Sequence, residues 1–491
     1  MNSPTAHKNR RYEMALALLF LLTLPLINPW VRGDGVGYYA YVRSLLIERH
    51  LNFEHDWLAA NTSFRMGRTD EAGNIKPEQY TSTHHLDNHF SVGPAILWSP
   101  FLVTAHLGVL AANRLGAHIP ADGFSRPYVI AMAFATALYG FLGLYLSFRI
   151  AREYFEESWA FLATIGIWLA TSLPVYMYFN PSWSHAHSAF ATALFLWVWN
   201  RTRPAHTQKA RTWMQWVILG LLAGLMLDVY YPNFFFLLLP LLEALRAYGR
   251  GLRGTRESRM SLVSLFGAHV LFVLATLAAF SPTLITRKII YGNFWSSGYE
   301  SLGQWNWTSP ALGKVLFSSD HGLLAWTPIL LFAIPGLFLL RRRDRELGDA
   351  LIVTFLAFYY FIASYPSWDG LSSFGNRFFV SLTPLFVIGL AATMDALAAK
   401  LPRRRAAPVL AGVTAVFILW NLGFIFQWGT HLVPARGFIS WRAMASNQFS
   451  VVPARITRSV VNYLTARRQM MGHIEEEDVQ QQSETQKAKG E

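Results

Sequence analysis

The chain has 491 residues, enough for two or three soluble domains or for about a dozen membrane passes with their loops. Apolar residues make up 53% and charged residues only 14%, against roughly 25% charged in an ordinary soluble domain, which excludes a single soluble core; the absence of cysteine excludes disulfides, thiolate catalysis and iron–sulfur ligation. The formal charge of +13 does not indicate a nucleic-acid partner, because no basic stripe interleaved with aromatics lies on one soluble face.

Crossing a bilayer takes about 20 apolar residues. Runs of this kind predict eleven crossings, near 12–31, 127–148, 159–179, 183–200, 213–230, 231–246, 261–280, 321–340, 350–365, 378–397 and 407–427. The fold class is therefore an all-α polytopic membrane protein. The first run leads into Asn28-Pro29-Trp30-Val31-Arg32 rather than a small-residue cleavage site, so it is expected to stay as an anchor. With the N-terminus inside, the pieces 1–12, 149–158, 201–212, 246–260, 341–349 and 398–407 share one face. They carry 22 Lys and Arg against seven acids, so the basic excess is an orientation signal. This assignment treats 91–111, apolar but containing Pro94, Pro100 and His106, as entering the interface and returning. A full crossing there would turn Arg201, Arg203, Lys209 and Arg211 outward.

The membrane domain is read as 1–427, with the large first outer loop at 32–126 and smaller outer regions at 281–320 and 366–377. The segment 428–491 is also expected outside. Its end, from Glu475-Glu476-Glu477-Asp478 onward, has the composition of a disordered tail. The inner loops are short and carry no phosphate-binding glycine motif, so chemistry is expected on the outer face or in the membrane. His50, His55, His84, His85, His89 and His118 all fall in the first outer loop.

Asp34 follows the first crossing directly, between Gly33 and Gly35, which permit close approach of another backbone or a ligand. Residues 36–49 read as an amphipathic surface helix, with Tyr38, Val42, Leu45 and Leu46 on one face. Asp34 is then either a cap for this helix or a functional carboxylate. Glu54, His55 and Asp56 can position a sugar or a metal, or simply end the helix in a wet loop. His84 and His85 precede Asp87 and His89. On an extended chain His85, Asp87 and His89 point the same way and can offer nitrogen and oxygen ligands to a divalent metal. Arg377 stands at the outer mouth of the crossing at 378–397, where a planar cation can meet a lipid phosphate. Arg287 and Lys288 form a second cationic pair, and His321 opens another crossing. Trp295, Trp305, Trp307 and Trp368 read as an interfacial belt or a sugar-stacking surface. Asp228, His269 and His106 lie in or near spans, where ionisable groups are functional by default.

An Asp at the start of the first outer loop, just after the first crossing and leading a helix, resembles the GT-C superfamily. These are polytopic enzymes that use polyprenyl-phosphate sugars, such as protein O-mannosyltransferases and lipid A aminoarabinose transferases. Asn88-His-Phe-Ser-Val-Gly-Pro-Ala-Ile-Leu-Trp-Ser-Pro100, His321-Gly-Leu-Leu-Ala-Trp-Thr-Pro328 and Trp368-Asp369-Gly-Leu-Ser-Ser-Phe-Gly-Asn-Arg377 resemble segments of the same group. The similarity covers most of 12–400 in short, loose motifs. It departs at Gly35, where the common relatives carry a second acid. The resemblance implies a catalytic Asp34, donor-binding residues among Arg377, Arg287, Lys288, His321, Asp56, Glu54, His84, His85, Trp368 and Asp369, and no certain cofactor beyond an optional divalent metal. It also implies a polyprenyl-phosphate sugar as donor and a glycan, lipid or protein hydroxyl as acceptor. Membrane lipids would surround an outer-face site on a bacterial inner membrane. The alternative is a lipid or sugar transporter or flippase; that reading predicts midplane charge pairs and inverted halves, and few or none are visible.

Overall fold

A segment without water around it must satisfy its backbone groups internally, and helices do so. The computed structural model describes residues 10–207, 209–253, 256–296, 298–299 and 301–490. Its longer helices are α1 (Arg10–Thr23), α2 (Asp34–Arg43), α3 (Gly93–Arg114), α4 (Arg126–Tyr154), α5 (Glu157–Leu169), α6 (His185–Thr202), α7 (Trp213–Val229) and α8 (Leu238–Leu252). They continue with α9 (Arg256–Tyr291), α10 (Leu330–Leu340), α11 (Arg345–Ser364), α12 (Thr383–Ala398), α13 (Arg403–Gly429), α14 (Trp441–Phe449), α15 (Val451–Thr465) and α16 (Arg467–Gly490). Among the described residues, six helices are long and apolar enough to cross a membrane: α3, α4, most of α9, α11, α12 with its leading turn, and α13. α5, α7 and α10 are apolar but shorter. The chain is an all-helical, multi-pass membrane protein.

One end of the bundle is laced with ion pairs between pieces distant in sequence. Arg152 meets Glu13 at 2.7 Å and Glu157 at 3.0 Å. Arg201 meets Glu153 at 2.9 Å, Arg343 meets Asp395 at 3.0 Å, and Arg203 pairs with Asp344. These are the basic pieces that charge counting assigns to one face.

The opposite end holds the first loop. α3 runs antiparallel to the first third of α4: Trp98 Nε1 donates to Thr136 Oγ1 at 2.9 Å, and His106 Nδ1 lies 2.6 Å from the Tyr128 hydroxyl. The chain then returns to α2, where Tyr39 donates to the Gly123 carbonyl at 2.6 Å. The segment around 91–111, expected to enter the interface and return, is one continuous helix long and apolar enough to cross a membrane.

α2 differs from the amphipathic surface helix that periodicity predicts. Every residue from Gly35 to Ser44 is buried, and the continuation Ser44–Glu48 is a wider π turn. Two glycines explain why. A Cβ at Gly35 would stand 2.0 Å from Ser182 Oγ, and one at Gly37 would stand 2.0 Å from the Phe90 ring. Their absence lets the 180–184 segment close on one side and the 88–92 segment on the other. A second apolar cluster, with Tyr39, Tyr41, Phe53, Trp57, Phe90 and Trp98, then forms around α2.

The C-terminal segment also departs from expectation. The acidic run 475–478 lies within α16, not in a disordered tail. Its charges find partners: Asp478 pairs with Arg32 at 2.5 Å, and Glu475 accepts from the Ser63 backbone N–H at 2.7 Å. Tyr463 anchors α15 by donating to the Leu26 carbonyl at 2.8 Å.

Candidate active site

The exit of α1 is fixed before Asp34 is placed. Asn28 N–H donates to the Tyr178 carbonyl at 2.7 Å, and Trp183 Nε1 donates to the Arg32 carbonyl at 3.0 Å. Gly33 then adopts φ +54°, with Trp183 against the position a Cβ would take. Asp34 is the first residue of α2, behind the N-cap Gly33. It accepts from Arg377 Nη1 at 2.5 Å.

Arg377 reaches this point from the turn that leads into α12. Its guanidinium lies 4.5 Å from the centre of the Trp183 ring, and its Nε has no hydrogen-bond partner. The side chain is 11% exposed and that of Asp34 is 33% exposed, so the pair is open at the carboxylate side. The loop 366–376 supports the Arg377 stem: Asn376 donates to the Trp368 carbonyl at 2.9 Å, and Gly370 packs against the Arg377 side chain.

Trp183 also borders a cavity of about 350 Å³, lined mainly by apolar side chains including Leu26, Ile425 and Tyr463, with Arg32 and Asn28 at its polar edge. An apolar cavity beside a carboxylate and a guanidinium can accommodate a lipid chain whose headgroup meets the charges.

The other residues singled out in the sequence separate into distinct places. Asp56 is a buried structural partner rather than a sugar contact: Arg43 Nε and Nη2 donate to it at 2.6 and 2.7 Å, and Ser44 at 2.8 Å. Glu54 is exposed and accepts from the Tyr80 hydroxyl at 2.6 Å. Arg287 is committed as well. It donates to the carbonyls of Asn88, His89 and Phe90 at 2.8, 2.8 and 2.9 Å, and to the Tyr231 hydroxyl. It clamps the first loop to α9 rather than standing free for a phosphate. Lys288 is exposed and donates to the Gly292 carbonyl at 2.8 Å. Asp228 is buried, accepting from Thr283 at 2.5 Å. His106 and His269 are held by the hydroxyls of Tyr128 and Tyr248. Trp305 and Trp307 stack on each other 5.5 Å apart, while Trp295 is exposed.

The metal set expected at His85, Asp87 and His89 is not assembled. His85 turns to Thr83, Tyr291 donates to Asp87, and His89 packs on Phe90 and Tyr299. His84 is exposed, in a left-handed turn at φ +61°. Among the described residues, ligand atoms that can share one ion come from Asp320, His321 and Asp369, all within 4.8 Å of one another. Burial, then the neighbouring Asp369, pushes the Asp320 carboxyl up from its usual range. Sequence reasoning also passed over Arg68. It is half-buried in the first loop, donates to the Phe64 carbonyl at 2.7 Å, and is acted on by the charges of Asp34 and Asp87. No motif surrounds it, so only the fold reveals it.

Several solved structures resemble the protein in their fold. One is the oligosaccharyltransferase of Archaeoglobus fulgidus in complex with zinc and sulfate, at 17% identity and a TM-score of 0.49, covering 85% of this chain and 55% of that one. Another is ArnT from Cupriavidus metallidurans bound to undecaprenyl phosphate, at 13% identity and a TM-score of 0.47, covering 85% of this chain and 71% of that one. The archaeal oligosaccharyltransferase AglB in complex with an inhibitory peptide and a dolichol-phosphate is similar at 15% identity, with a TM-score of 0.47, covering 90% of this chain and 54% of that one. The chain thus spans about half the length of the archaeal enzyme. No family model and no curated protein matches the sequence.

Proposed function

We propose that the protein is a membrane glycosyltransferase that moves a sugar from a polyprenyl-phosphate donor to an acceptor hydroxyl on the outer face of the membrane. The observation that carries this reading is the contact of Asp34 with Arg377 beside an apolar cavity. In this reading the chain crosses the membrane eleven times, with the ion-paired end inside, α3 entering the interface and returning, and α2 and residues 428–491 outside. The membrane is a bacterial inner membrane.

The chemistry follows from the groups present. A sugar phosphate brings a leaving group of low pKa, so no general acid is required. One carboxylate must take the acceptor proton, and cations must stabilise the departing phosphate. The donor phosphate competes with Asp34 for the Arg377 guanidinium. As it takes that cation, Asp34 is released to act as general base. Arg68, which is acted on by the charge of Asp34, adds positive charge nearby. Direct displacement from the opposite side of the sugar carbon inverts its configuration.

The test is transfer by purified protein supplied with a polyprenyl-phosphate sugar. Asp34→Asn is expected to lower the rate at least about a hundredfold. Full activity in Asp34→Asn overturns the assignment of the base. Mass spectrometry of co-purified lipid identifies the sugar, and the absence of any polyprenyl-phosphate species across preparations counts against the donor class.

A further inference from the structure

Asp320 and His321 close the turn that precedes the short helix Leu323–Trp326, and Asp369 sits on the loop that cradles Arg377. His321 is fully buried. Its Nδ1 stands 3.3 Å from Asp320 Oδ1 and the ring also faces the Asp369 backbone, yet neither ring nitrogen meets a neighbour with standard hydrogen-bond geometry. A buried imidazole with only poorly aligned contacts costs free energy, and buried polar groups in folded proteins are almost always well satisfied. The ring is wedged in place: Trp326 lies 4.6 Å from it, and the Trp326 Nε1 donates to the Ser319 carbonyl at 3.0 Å. Asp369 Oδ1 accepts only a long bond of 3.4 Å from the Leu371 N–H. Two carboxylates and one imidazole therefore converge from two loops.

We propose that Asp320, His321 and Asp369 bind a divalent first-row transition metal that ties the 318–322 turn to the 366–377 loop. Two carboxylate oxygens and an imidazole nitrogen form a mixed set, which suits zinc, manganese or cobalt better than the all-oxygen cages of calcium and magnesium. Metal–ligand bonds of about 2.1 Å in a tetrahedral shell place neighbouring ligands roughly 3.4 Å apart. His321 Nδ1 and Asp320 Oδ1 already stand 3.3 Å apart, and the set, all within 4.8 Å, closes to that spacing by an inward movement of the Asp369 side chain. The ion cancels the mutual repulsion of the two carboxylates, a charge that Arg436 offsets in part.

The consequence falls on Arg377. A Cβ on Gly370, next to Asp369, would stand 3.3 Å from Arg377 Cγ. Fixing Asp369 fixes the wall against which the Arg377 stem packs. The three ligands are positioning residues, and the ion touches neither Asp34 nor the reacting atoms.

The experiment uses the full-length protein in detergent, stripped with EDTA and titrated with Co²⁺. Binding is read from metal content after desalting and from visible absorption of the bound ion. One equivalent is expected. His321→Gln and Asp369→Asn should each weaken binding at least about tenfold, while elution on size exclusion shows that they remain folded. If either variant aggregates, Asp320→Asn replaces it. Asp34→Asn should bind the full equivalent, so metal binding and the transfer reaction are tested separately. Unchanged Co²⁺ binding in Asp369→Asn, or binding lost instead in His85→Ala, overturns the proposal, as does less than a tenth of an equivalent in the wild type.

Discussion

Arg377 donates to Asp34 at 2.5 Å although 343 positions separate them in the chain. The contact joins the exit of the first helix to the entry of a late one, so it forms only when the two halves of the bundle are correctly assembled. A planar guanidinium can hold this carboxylate and then pass to a phosphate without losing its stacking on Trp183. Lysine supplies the charge without the fork or the stack. Arg377→Lys is therefore expected to lower sugar transfer about tenfold, and Arg377→Ala about a hundredfold, measured as kcat/KM for the lipid donor. Equal activity of Arg377→Lys and wild type would show that the fork is not used.

Asp56 and Arg43 make a different prediction, one about stability. Both side chains are 2% exposed, and the carboxylate takes three hydrogen bonds from Arg43 and Ser44. Breaking such a pair leaves a buried charge, which costs roughly 3 kcal/mol. Asp56→Asn should unfold earlier in a denaturant series by about that amount. Exposed Glu54→Gln should change stability by less than about 0.5 kcal/mol. If the two variants unfold together, Asp56 is not the strut described.

These cases show what sequence carries and what it withholds. Asp34 was legible because its place after a membrane helix is itself unusual, and Arg377 because it stands at the mouth of an apolar run. Among the described residues six helices are long and apolar enough to cross a membrane, an outcome that length and hydropathy alone carry, and one of them, α3, falls on the 91–111 stretch that charge counting treated as returning. The burial of α2 was not legible: a helical period finds one apolar face, whereas Gly35 and Gly37 admit neighbours on two sides. Arg287 was found as a cation, but its saturation by three carbonyls depends on where the 88–90 segment lies. Asp320, His321 and Asp369 are split between two loops, so no local spacing could join them.

The C-terminal helix gives a prediction in pH. Burial pushes the Asp478 carboxyl up, but the His431 hydrogen bond and the Arg32 charge outweigh it and hold the group below its usual range. A carboxylate depressed in the folded state contributes its stability above the unfolded value, near 3.9, and loses it as pH falls through the folded one. α16 should stay docked at pH 7 and pH 5 and detach only below about pH 4. Hydrogen exchange at the Ser63 amide, which donates to Glu475, reports this directly. Asp478→Asn should speed that exchange already at pH 7. Release between pH 7 and pH 5 in the wild type would assign the docking to some other group.

Gly35 offers the sharpest test of how the site is built. A methyl group there would sit 2.0 Å from Ser182 Oγ and 3.0 Å from the Ser182 carbonyl. The first clash is with a short side chain held on the loop before α6, which cannot swing far, so α2 must shift. Because Asp34 is the adjacent residue, that shift moves its carboxylate away from Arg377. Gly35→Ala should therefore reduce transfer far more than it reduces stability. Removing the clashing side chain in the double variant Gly35→Ala, Ser182→Gly should restore part of the activity, because the 3.0 Å approach to the carbonyl remains. Non-additivity of this kind is the signature of two groups in direct contact. Activity that stays low in the double variant, at unchanged stability, would show that α2 depends on Gly35 for backbone freedom and not for space.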